Sequence, residues 1–170
     1  MEITRTLARF VVDHEESNVP PPVRHEAARS FLNWVGCAVG ASRHETVECA
    51  LAALKQFSGP PQATVLGRED RLDILQAALM NGITSHTFDF DDTHLKTVIH
   101  PSGPVASAIL ALAERSAVSG NAFLHAFILG VEVECRIGNS VYPEHYDVGW
   151  HITGTAGVFG AAAAAGKLLG

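Results

Sequence analysis

Between Asn121 and Ser140, apolar side chains fall at Phe123, Leu124, Phe127, Ile128, Val131 and Cys135, around much of a helical circumference rather than along one stripe. A helix that is apolar on most sides needs neighbours on most sides, so this segment predicts a central helix wrapped by others. The rest of the chain offers them. Residues 3–12 carry Leu7, Ala8, Phe10 and Val11 at helical spacing, and Pro20, Pro21 and Pro22 then set a second start, because proline suits a first turn and no later one. That second helix runs to about Val39, with Ala27, Phe31, Trp34, Val35 and Ala38 inward and Gly40 as its stop. Glu45 to Phe57 predicts a third helix, residues 63–66 a short extended segment, Arg71 to Thr93 a fourth helix and Ser102 to Ala117 a fifth. After a polar and aromatic loop from Tyr142 to Trp150, a last helix runs from Thr153 to Leu169, where Gly154, Gly157 and Gly160 thin one side. No alternating run of any length appears elsewhere, so one all-α domain over residues 1–170, with about seven helices, is the expected fold.

A chain of 170 residues can bury roughly two thirds of its unfolded surface and needs no staples. Its three cysteines, Cys37, Cys49 and Cys135, are widely spaced in apolar patterns and read as small packing residues in a reducing compartment. A net charge of −6 with only 12 lysines and arginines argues against a nucleic-acid surface. The first residues lack the apolar run of a signal peptide, and the uncharged stretch from Ile152 to Gly166 is short and rich in glycine and alanine for a bilayer span. The cytosol, with no membrane or nucleic-acid partner, is therefore the expected setting. The chain closes at Gly170 directly after an apolar, alanine-rich helix that would normally have neighbours on several sides, a pattern expected of a fragment.

The polar residues concentrate between Ser85 and Pro104. His86, Asp89, Asp91, Asp92, Thr93, His94 and His100 all lie there, ahead of a helix start at Pro101-Ser102-Gly103-Pro104. If the fourth helix persists through Thr93, then His86, Asp89 and Thr93 share one face and Asp91 points elsewhere. Phe88 and Phe90 stand between the acids, so part of the segment should be buried and at least one aspartate paired. Three readings follow. A solvated helix end is the plainest. A metal site is chemically possible, since aspartate and histidine are divalent ligands, but no His-x-x-x-His pair and no calcium-loop spacing supports it. Proton transfer on a carboxylate substrate is the third: His100 and His151 each precede a helix start, imidazole titrates near neutral pH, and a helix N-terminus favours an anion.

Several stretches resemble one family: Val65-Leu66-Gly67-Arg68, Asn81-Gly82 through Asp89-Phe90-Asp91-Asp92-Thr93-His94, His100-Pro101-Ser102-Gly103, and Gly149-Trp150-His151 through the run ending at Ala165. The chain is similar to the MmgE/PrpD group of 2-methylcitrate dehydratases and cis-aconitate decarboxylases. That resemblance implies a large helical domain, a separate lid, a homodimer, and chemistry on small polycarboxylates with neither metal nor organic cofactor. It also implies a site in which His151, His100 and Asp89 are catalytic and Thr93, His100 and Ser102 bind substrate. Family enzymes are much longer, so a lysine, a further histidine, a tyrosine and the lid are expected beyond Gly170. Asn33-Trp34 departs from the usual aspartate-containing pair in the second helix. The expected reaction is dehydration of a 2-methylcitrate-like acid; the alternatives are decarboxylation or epimerisation of a related acid, or a non-catalytic helical module.

Overall fold

The computed structural model describes residues 2–170, and it is helical almost throughout. Among the described residues eight α-helices follow one another: α1 (Glu2–Asp13), α2 (Pro21–Ala41), α3 (Glu45–Leu54), α4 (Ile74–His86), α5 (Ser102–Arg115), α6 (Gly120–Val141), α7 (Glu144–Asp147) and α8 (Ile152–Leu169). Short 3-10 turns at Glu16–Asn18 and Lys55–Phe57 close the first and third of the long gaps. The extended segment is real and has a partner, because Ala63–Thr64 (β1) pairs antiparallel with Arg71–Leu72 (β2). The all-α expectation holds, with one more helix than the sequence suggested: α7 interrupts what reads as a loop.

The centre of the molecule is the α5–α6–α8 packing. As its composition requires, α6 buries Ala126, Phe127, Leu129 and Val133, and Phe127 joins Trp34, Val105, Ile109 and Ala164 in one cluster. Helices α6 and α8 approach closely because glycine faces glycine: a Cβ on Gly160 would lie 2.8 Å from the carbonyl oxygen of Gly130. A second cluster, built on Val47, Leu51, Leu72 and Met80, fixes α3 and the small sheet against α4. By length and hydropathy α8 reaches what a membrane crossing requires, contrary to the short-run argument from sequence. Its Ala156, Gly157, Gly160 and Ala164 are nevertheless buried in the α-helical packing.

The fourth helix differs most from expectation. It begins at Ile74, not Arg71, because the Asp73 side chain accepts hydrogen bonds from the amides of Leu75 and Gln76 and so caps it. It ends at His86, not Thr93. Asp89 takes the left-handed conformation (φ 56°), which an aspartate tolerates and which cannot continue a right-handed helix. Residues 87–101 therefore form a loop, and His86, Asp89 and Thr93 do not share a helical face. Phe88 and Phe90 are exposed rather than buried.

Candidate active site

The loop between α4 and α5 is tied down at several points. His94 donates its amide to the carbonyl of Ile99 (2.7 Å), and its ring Nδ1 meets Thr97 Oγ1 (2.7 Å). Val98, a β-branched residue, is held at φ 56°, a strained conformation that the surrounding bridge enforces. Ile99, fully buried, packs with Ile152 and Ala156 at the start of α8. The backbone amide of His100 then donates to Thr153 Oγ1 (3.0 Å), fastening the loop to the first turn of α8.

These ties build a cleft of about 500 Å³, bordered by His86, Asp91, His100 and Pro104 on one side and by His151, Thr153 and Gly154 on the other. His100 and His151, expected to converge, line this same cleft. The ring of His86 stands between them, 4.9 Å from the His100 centroid and 6.2 Å from that of His151. His151 is exposed at the N-cap of α8, and no side chain caps that helix. A larger groove between α1 and α8 is almost wholly apolar, and among the described residues that line it Lys167 is the one titratable group.

The carboxylates sort themselves by burial. Asp89 is exposed, with Oδ1 3.5 Å from His100 Nε2 and 4.0 Å from His86 Nδ1. Asp91 does not point away, as a continuous helix would have required; its side chain is 1% exposed and sits under both rings. Its oxygens are 3.1 and 3.2 Å from His86 Nδ1, and Oδ1 is 3.6 Å from His100 Nδ1. The demand that one aspartate be buried and paired is thus met by Asp91. Thr93 is exposed beside this pair, its hydroxyl 3.5 Å from His100 Nδ1.

Asp92 turns the other way. It accepts hydrogen bonds from the Ser102 hydroxyl (2.8 Å) and the Ser102 amide (3.3 Å), and so occupies the N-terminus of α5. That end of the helix is already neutralised by a carboxylate, and Ser102, fully buried, spends its hydroxyl there rather than on the cleft. Burial lifts the Asp92 carboxyl above its usual range, the Ser102 hydrogen bonds oppose that shift, and neighbouring Asp91 adds to it. The open helix start is therefore that of α8.

Chemically, the cleft offers three imidazoles, one exposed and one buried carboxylate, a hydroxyl and a helix N-terminus. Donor atoms of His86, Asp89, Asp91 and His100 lie within 4.8 Å of one another, close enough to hold a divalent cation. No regular spacing announces that set, because the loop and not a helix face brings it together. Sequence reasoning also passed over Glu134, which lies inside α6 with both carboxylate oxygens buried and unpartnered. Burial first, and the Asp92 charge second, push its carboxyl up to about 9. Burial pushes the Cys135 thiol up to about 12, as befits a packing residue.

Compared with known proteins, residues 5–170 match the MmgE/PrpD N-terminal domain. The chain is 35% identical to human cis-aconitate decarboxylase and 30% identical to the cis-aconitate decarboxylase-like protein oryM of Aspergillus oryzae, over 99% of its own length in both cases. It is 28% identical to the cis-aconitate decarboxylase of Aspergillus terreus. In each comparison the chain spans 36% of the relative's length.

Proposed function

This chain belongs to the MmgE/PrpD family, and from that premise we propose that its cleft is one wall of the active site of a lyase acting on a small polycarboxylate. The observation that carries the reading is that His100 and His151, from different segments, border one cleft next to the uncapped start of α8. A multiply charged acid would be gripped by Thr93, the His100 imidazole and the first amides of α8, since helix N-termini and imidazolium groups both favour carboxylate oxygens. His151 would deliver or remove the proton at the reacting carbon, with Asp89 orienting His100 across the 3.5 Å contact.

The relatives' names favour decarboxylation of a cis-aconitate-like acid. In that reaction the carbon–carboxylate bond breaks, its electron pair stays on the substrate carbon, carbon dioxide leaves, and the acid group protonates the carbon. Dehydration of a 2-methylcitrate-like acid is the second reading, supported by the pairing of carboxylates with imidazoles at this cleft, because loss of water needs a base at the α-carbon and an acid at the departing hydroxyl. The homodimer and independence from cofactors rest on the family resemblance alone.

In a catalytically complete polypeptide carrying this region, His100→Ala and His151→Ala should each lower turnover by about a hundredfold or more. Product mass separates loss of carbon dioxide from loss of water. Near-normal rates in both variants would refute the assignment.

A further inference from the structure

Asp91 is a carboxylate buried almost completely, and among the described residues no lysine or arginine pairs with it; the rings of His86 and His100 face it. A buried carboxylate is retained only where hydrogen-bond donors satisfy it. An ionised carboxylate accepts and cannot donate, so the imidazole nitrogen facing it at 3.1 Å must carry the proton. Free neutral imidazole has no such constraint. We propose that Asp91 is a positioning residue that holds His86 with its Nδ1 protonated and its Nε2 turned to the cleft, making His86 a third imidazole of the substrate site. The inference rests on the lyase reading for its catalytic consequence, although the ring orientation stands by itself.

The geometry excludes the more obvious partner. Asp89 is nearer the mouth, 74% exposed, and 4.0 Å from His86 Nδ1, too far for a hydrogen bond. Asp91 lies beneath both rings, hydrogen-bonded to His86 and 3.6 Å from Nδ1 of His100, and the two ring centroids are 4.9 Å apart. With Nδ1 engaged, the lone pair of neutral His86 is left on Nε2, and the residue lines the cleft that His151 and Gly154 also border. There it can accept a proton from a protonated carboxyl or hydroxyl of the acid, or, when charged, donate to a carboxylate oxygen.

The test reads the proton directly. Long-range nitrogen–proton spectra of the 170-residue chain at about pH 9, above the ordinary imidazole range, should show His86 in the Nδ1–H tautomer. Asp91→Ala should move it to the Nε2–H tautomer, whereas Asp91→Asn, which keeps an acceptor oxygen, should retain Nδ1–H. In the catalytically complete polypeptide, Asp91→Ala should lower kcat by about tenfold or more, and Asp91→Asn should recover part of that loss. A wild-type His86 already in the Nε2–H form overturns the inference without any variant having to fold. So does wild-type kcat in Asp91→Ala. A wild-type enzyme inactive on every tricarboxylate, with the tautomers as stated, would instead sink the lyase reading and leave the Asp91 assignment standing.

Discussion

Replacing Glu134 by glutamine should stabilise the protein at neutral pH, and the gain should vanish in acid. Glu134 is fully buried in α6, its Oε2 packed where a Cβ on Gly160 would sit only 2.9 Å away, and neither oxygen has a hydrogen-bond partner. Its carboxyl is pushed up to about 9 from an ordinary value of 4.5. Between those two values the folded state holds a proton that the unfolded state releases, so stability falls as pH rises through that window. At 1.36 kcal/mol per unit, the 2.5 units from 4.5 to neutrality amount to about 3 kcal/mol lost by pH 7, and less than about 1 kcal/mol by pH 5. Glutamine matches the shape of the protonated acid and has nothing to ionise. Glu134→Gln should therefore exceed the wild type by roughly 2–3 kcal/mol at pH 7, which corresponds to a Tm rise of about 5–10 °C, and should nearly match it at pH 5. Urea unfolding at the two pH values measures both differences. Equal stability at pH 7, or a difference that does not change with pH, would show that Glu134 is solvated or paired and that the burial argument is mistaken.

Gly160→Ala should destabilise by about 1–3 kcal/mol, since its Cβ would meet the Gly130 carbonyl at 2.8 Å and Glu134 Cβ at 2.9 Å, and thermal melting checks it. The thiols should separate in a native alkylation time course: exposed Cys49 reacts first, and Cys135, raised to about 12 by burial, reacts only on unfolding. Modification of Cys135 as fast as that of Cys49 would contradict the packing of α6.

Much of the scaffold can be read from residue order because it rests on local periodicity. The apolar circumference of α6 identifies the middle of the molecule, and the Pro20–Pro22 run marks the start of α2 to within a residue. The site is less legible. The apolar spacing of Leu75, Leu79 and Ile83 continues smoothly into Phe88 and Phe90, so nothing in the pattern reveals that the chain leaves the helix after His86. That reversal moves Asp91 from the supposed outer face to a position beneath two imidazoles, and turns Asp92 to cap α5. Glu134 is a different case: it stands seven positions after Phe127 and three after Val131, on the inward face of α6, but a lone acid in an apolar helix carries no motif, and only the glycine-lined approach of α8 shows how tightly it is enclosed.

The hydroxyl of Thr153 links two places that are far apart along the chain. It grips the backbone of residue 100 while standing two positions after residue 151, so both rings ride on the same end of α8. If that helix tilts, the imidazoles travel together and the gap between them is preserved; the span available to a ligand is gauged by one side-chain oxygen, not by the slack of the intervening loop.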